Sequence, residues 1–315
     1  MISDRGTLQS CDRSINKYVA TCFIFMALFG VVTGTARIQE LAGRYFSTLP
    51  FTNAQPSFVP VLLFFAIAYA FTWSLHGLII LFHLPFRQAP KPRARILYFA
   101  GLCGPLVAAL LSAYLFHGQT GVSDLLNSAL DWRVEWIWYF LAIAPIGIIY
   151  MAATVLYRKW HGKPIALFKK QKSGLLVLLL SQVWVVIAEE FGWRGFALPH
   201  LQALIGWLGA AFIIGVLWAS WHLPMFFVPG SNQYKSSFPQ YVFVLSIWSF
   251  FTAMLYYQTN GSLLLCMIFH AAANFWGLAI NVPDESERLV LLLYLLMLLT
   301  AVALLPVWGA IQFKL

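Results

Sequence analysis

Charge is what this sequence has little of. Only 10% of its 315 residues are Asp, Glu, Lys or Arg, while 61% are hydrophobic. A soluble domain carries about a quarter charged residues. The polar surface here is too small to cover a water-soluble globule, so that class is excluded. Cysteine is rarer still. Cys11, Cys22, Cys103 and Cys266 are scattered and form no CxxC pair, which excludes a disulfide framework or zinc ribbon and leaves them as small packing residues. There is no long linker, low-complexity tract or obvious repeat. The lack of an inverted repeat with paired broken helices argues against a transporter.

What fills the chain instead is apolar runs, each near the roughly 20 residues that span a bilayer core. Nine candidate spans follow: Tyr18–Ala36, Phe58–Phe82, Ile96–Phe116, Trp136–Tyr157, Gly174–His200, Gly206–Val228, Gln240–Gln258, Gly261–Ile280 and Leu289–Ile311. The expected fold is an all-α, polytopic membrane bundle of about eight or nine helices. A polar segment, 1–17, precedes a single membrane domain, 18–315. The first span has no clear cleavage site after it and reads as an anchored helix. The stretch 124–140, with Trp132, Trp136 and Trp138, reads as interfacial.

The net charge of +9 follows a topology. Arg87, Lys91, Arg93 and Arg95 crowd the loop after the second span, and Arg158, Lys159, Lys163, Lys169, Lys170 and Lys172 the loop after the fourth. The intervening loops, 37–57 and 117–135, hold only three Lys or Arg together. This is the positive-inside pattern, so both basic loops should be cytoplasmic. They are topology determinants near anionic lipid, and nucleic acid is not an expected partner.

Ionisable groups inside the spans are few: His76, Glu189, Glu190, Arg194, His222 and His270. A charge at the bilayer centre costs roughly 2.5–3.5 kcal/mol on insertion scales, so such residues face the bundle interior and mark function. His76 stands alone and reads as a structural hydrogen-bonding residue. Glu190 and Arg194 are four apart, share a helix face and can pair. Glu189 lies about 100° around the helix and is left available for other work. Its burial would raise its pKa and the arginine would lower it, a balance that sequence leaves open. His270 and Asn274 share a face across three alanines, and together can donate hydrogen bonds to one oxygen, as an oxyanion hole does. A polar helix–helix contact is the plainer use of that pair. His222 sits just before Pro224, which disturbs the helix.

The motifs "EEFGWR", "WASWH" and "HAAAN" read as EExxxR, an approximation to FxxxH, and HxxxN on successive apolar helices. In this order they resemble the CPBP intramembrane protease family, also called the type II CAAX prenyl endopeptidase-like or ABI family. The motifs span about 186 to 276, within an expected catalytic core of about 174–281, and "AGLCGPLVAALL" and "WRVEWIWYFLAIAPI" upstream resemble bacterial members. Trp218 stands where the family often has phenylalanine. The resemblance implies an endopeptidase in which Glu189 and His222 activate a water, His270 and Asn274 form the oxyanion hole, and Glu190 and Arg194 support the site. The expected substrate is a membrane-associated peptide or protein. Eukaryotic members trim prenylated CAAX proteins, while many bacterial ones are tied to peptide or bacteriocin processing, immunity or secretion; the short loops and "WHLP" favour the latter. Location in a bacterial cytoplasmic membrane, with the site opening to the cytoplasm, follows. No cofactor is expected, although Glu189, His222 and His270 have the chemistry of a zinc site with an open position for water.

Two other readings compete. Cys266, His270 and Asn274 share one face and imitate a thiol protease, but three groups along one helix converge poorly and a thiol in apolar surroundings stays protonated. A catalytically silent scaffold or immunity protein could use the same polar cluster. There is also a geometric difficulty. If the fifth helix starts at Gly174, Glu189 lies about 22 Å in, whereas His222 sits near the far end of the returning span. Either the fifth helix starts deeper and continues through Arg194 to about Pro199, or the sixth is displaced or bent near Pro224.

Overall fold

The computed structural model describes residues 57–84, 86, 93–169, 175–283, 286 and 288–299. The expected first span, Cys11, Cys22 and the end of the last span lie outside them. Among the described residues there is no β-strand. The helices are α1 Phe58–Leu81, α2 Arg93–Leu102, α3 Gly104–Leu130, α4 Trp136–Trp160, α5 Leu175–Glu190, α6 Leu198–Trp221, α7 Phe238–Gln258 and α8 Leu263–Ala279, then α9 Arg288–Leu299. A wide π-helical turn, Phe191–Ala197, joins α5 to α6, and a short 3₁₀ turn, Leu223–Phe227, follows α6.

Among the described residues, length and composition let five stretches cross a membrane: Phe58–Leu81, Arg93–Leu130, Trp136–Trp160, Leu179–Phe227 and Phe238–Gln258. α8 and α9 are shorter apolar helices. Large apolar side chains point outward, with Leu62 63% and Leu115 63% exposed. In water that would be a large sticky surface; against lipid chains it costs nothing. The fold is the expected all-α polytopic bundle.

Sequence explains where the rods start and break. Ser57 caps α1, its hydroxyl accepting from the Val59 N–H at 3.2 Å. Pro105 and Pro239 sit in the first turns of α3 and α7, where a missing N–H costs nothing. Gly118 (φ +65°) breaks α3. The expected third span, Ile96–Phe116, is therefore part of a longer run. It begins in α2, passes a single turn residue at Cys103 and carries a second helical piece beyond Gly118. The interfacial stretch proves to be that second piece, a non-helical link at 131–135 and the start of α4. Trp132 and Trp136 in it are exposed.

The decisive break is at Gly206 (φ +74°, ψ 161°). Had the chain run straight from Glu189 to Trp218, the two would lie about 43 Å apart at 1.5 Å per residue. Their side chains instead hydrogen-bond, so the chain reverses. α5, the π turn and the first part of α6 form one outgoing rod, and the rest of α6 returns. The expected continuation through Arg194 is seen, and the sixth helix also gives way to the 3₁₀ turn Leu223–Phe227 that holds Pro224. The outgoing rod runs through Arg194 and past Pro199 to the turn.

α6 packs most extensively on α7, α1 on α3, and α8 on α4. The core follows the outgoing and returning rods. Trp193, Arg194, Trp218 and Trp221 are among its largest fully buried side chains. The basic loop after α4 is tied to the end of α8. Phe168 and Ile280 form an antiparallel bridge, flanked by Lys169 N–H donating to Ala279 O (2.9 Å) and Asn281 N–H to Leu167 O (2.7 Å).

Candidate active site

The site begins at the π turn. Widened turns of this kind recur at functional sites, and this one needs small residues. A Cβ on Gly192 would lie 2.5 Å from Pro105 Cβ and 2.8 Å from Pro105 O, so only glycine admits α3 this close. The turn carries Arg194 inward. Its Nη1 donates to Glu190 Oε1 at 2.9 Å in a fully buried pair. The same Oε1 accepts from His270 Nδ1 at 2.7 Å. Glu190 Oε2 and Arg194 Nη2 are sealed and unpartnered.

Glu189 points elsewhere, as its position around the helix implies. Its Oε2 accepts from Trp218 Nε1–H at 2.6 Å. The Arg194 guanidinium carbon lies 4.4 Å from the centroid of that Trp218 ring. Trp218 meets His270 edge to face at 5.1 Å between centroids, and its ring is 6.2 Å from that of His222. Trp218 thus joins Glu189, Arg194, His222 and His270.

His222 closes α6. Its Nδ1 bonds the Trp218 backbone oxygen at 2.9 Å. A carbonyl only accepts, so Nδ1 carries the proton and Nε2 of the neutral ring presents a lone pair. Rings of Trp221 (4.7 Å) and Tyr241 (5.4 Å) hold it edge to face. The end of α6 is itself pinned: Tyr69 O–H donates to Leu217 O (2.6 Å) and Trp73 Nε1–H to Trp221 O (3.0 Å).

Glu189 Oε1, His222 Nε2 and His270 Nε2 have no hydrogen-bond partner among the described residues, and none is sealed like Glu190 Oε2. Asn274, one turn beyond His270, is partly buried and its side chain makes no hydrogen bond among the described residues. The structure therefore joins Glu189, Glu190, Arg194, His222 and His270 in one network, with Asn274 beside it on α8. His76 lies apart. It is buried, bonds Tyr98 O at 3.2 Å and stacks on the Tyr98 ring, as a structural histidine would.

Sequence reading treated Trp218 as a neutral aromatic replacement and so missed its part. The signal was present: an indole carries a donor that phenylalanine lacks. Cys266 does not join the site. Its thiol is buried and lies 3.4 Å from Thr252 O, and His270 Nδ1 is engaged by Glu190. Among the described residues no three His, Cys, Asp or Glu side chains are grouped to hold a metal ion.

Two comparisons bear on this geometry. Residues 171–276 match the family model described as Type II CAAX prenyl endopeptidase Rce1-like. The match falls on the motif-bearing segment. A curated relative, "CAAX prenyl protease 2" of Methanococcus maripaludis, is 33% identical over 112 residues. That match covers 32% of this chain and 38% of the relative. The likeness thus falls on the helices that carry the network. With these findings, the apolar helices are those of a multi-pass membrane protein.

Proposed function

We propose that this protein is an intramembrane endopeptidase that hydrolyses a peptide bond of a membrane-associated peptide or protein. The observation that carries the reading is the split between two adjacent carboxylates. Glu190 is sealed and held by Arg194 and His270, so it can only brace. Glu189 keeps one oxygen, Oε1, without a hydrogen-bond partner among the described residues, and the His222 Nε2 lone pair is likewise uncommitted.

In the proposed reaction a water approaches Glu189 Oε1 and His222 Nε2. One of them takes its proton as the oxygen attacks the scissile carbonyl carbon. The carbonyl π electrons move to oxygen, where His270 Nε2–H and the Asn274 carboxamide stabilise them. The collapse expels the amine, which receives the proton removed from the water, and leaves a new carboxylic acid. His270 Nδ1 is committed to Glu190, so His270 donates from Nε2 only as imidazolium. No step runs through a metal.

The relative's name supports a prenylated CAAX peptide as the first substrate to try. An internally quenched peptide with a farnesylated CAAX terminus and its unprenylated twin would be incubated with the purified protein in liposomes. Cleavage by the wild type and none by Glu189→Gln is expected. Equal cleavage by both proteins would overturn the glutamate scheme. No cleavage of either peptide, or of a membrane-peptide library, by well-folded wild type would leave a silent scaffold as the better reading.

A further inference from the structure

We infer that Trp218 is a positioning residue for the proposed hydrolysis, its indole N–H fixing which oxygen of Glu189 meets the water. The inference rests on the protease reading above and adds a residue to it. Trp218 Nε1–H supplies the one hydrogen bond that Glu189 makes among the described residues, at 2.6 Å to Oε2. It therefore selects Oε1 as the free oxygen. The indole cannot swing away. It is 2% exposed, with Arg194 on its face at 4.4 Å and His270 at its edge. This placement also suits its charge distribution. An aromatic face is electron-rich and attracts the guanidinium, while the positive N–H edge meets the carboxylate.

The same residue acts on His222 through its other end. The Trp218 backbone oxygen accepts from His222 Nδ1 and so sets the tautomer that leaves Nε2 as a base. Any residue at 218 supplies that carbonyl. Only the indole N–H supplies the bond to Glu189. Changes to the side chain therefore separate the two effects, altering Glu189 while leaving His222 in its tautomer.

The test replaces Trp218 with 3-benzothienylalanine, which keeps the ring and puts sulfur where the N–H was, and in parallel with Phe. Hydrolysis of the quenched peptide and thermal unfolding are measured for each. A fall of about 10- to 100-fold in kcat is expected, the effect of losing one hydrogen bond to a charged group, with KM and the unfolding midpoint of the benzothienyl protein near wild type. Replacement by 7-azatryptophan, which retains the N–H, should restore kcat. A readout without substrate accompanies these: the ¹⁵N-indole resonance of Trp218, assigned by its loss in Trp218→Phe, should shift in Glu189→Gln. Wild-type kcat in the benzothienyl protein, or an unmoved indole resonance, overturns the inference. If Glu189→Gln is dead while the benzothienyl protein is normal, only this inference fails. If Glu189→Gln is fully active, the parent reading fails with it.

Discussion

At the scale of single residues, two neighbouring glutamates with the same side chain have opposite prospects. Glu190 Oε1 accepts two charge-assisted hydrogen bonds, from Arg194 and His270. Removing its charge leaves Arg194 buried without a counter-ion, and breaking a buried pair this way costs about 3–5 kcal/mol. Glu190→Gln should therefore lower the unfolding midpoint in detergent clearly, along with any activity. Glu189→Gln should unfold near wild type, because Trp218 can still donate to the amide oxygen, yet lose about 10²- to 10⁴-fold in turnover if Glu189 acts as the base. The two variants measured side by side separate brace from base. Asn274 allows a third measurement. If its carboxamide supplies one donor to the oxyanion, Asn274→Ala should lower kcat by about 10²- to 10³-fold with little change in KM. A rise in KM alone would assign Asn274 to substrate binding.

At the scale of elements, the reversal at Gly206 makes the site possible. Glu189 precedes it by 17 residues and His222 follows it by 16. At about 1.5 Å per residue both lie roughly 25 Å from the turn, so the two rods bring them level. The helix-forming spans and the Glu190–Arg194 pair were legible in the sequence, because apolar run length and the i, i+4 spacing are local properties. The level placement was not, since it depends on one backbone angle at Gly206, a residue the pattern marks only as the start of a span. The contact of His270 with Glu190 was equally hidden. It joins helices 80 residues apart, and helical period says nothing about which faces meet. Gly206 has open space around its missing Cβ, so Gly206→Ala would pay only the backbone cost of φ +74° and ψ 161°, a conformation essentially confined to glycine, about 1–3 kcal/mol. Gly215→Ala is different: the added Cβ would lie 2.5 Å from Ser246 Cα, pushing α6 off α7. Overpacking of this kind costs about 1–3 kcal/mol, and it would also tilt the segment that carries Trp218 and His222. Gly215→Ala should thus lose activity out of proportion to its loss of thermal stability, while Gly206→Ala should lose the two together.

At the scale of the whole molecule, the distribution of positive charge sets which side of the membrane sees the site. α4 ends in Arg158 and Lys159, and the loop beyond it is bound to the end of α8 through the Phe168–Ile280 bridge, about two helical turns from Asn274. Lys169 Nζ reaches Gly277 O at 3.2 Å on that same helix. The basic loop is therefore at the Ala279 end of α8, the end nearer to Asn274, with His270 near the middle of the helix, and Ser262 at the opposite end donates to Asp131 O. If basic loops stay cytoplasmic, a substrate enters the site from that side. The prediction is tested by introducing one cysteine at a time, at Lys163 in the basic loop and at Asn127 near the opposite end. In intact cells a membrane-impermeant maleimide should label Asn127→Cys and spare Lys163→Cys, above the background of the parent chain. Inside-out vesicles should reverse the result. Labelling of Lys163→Cys from outside would turn the molecule over and place the entrance of the site on the outer face.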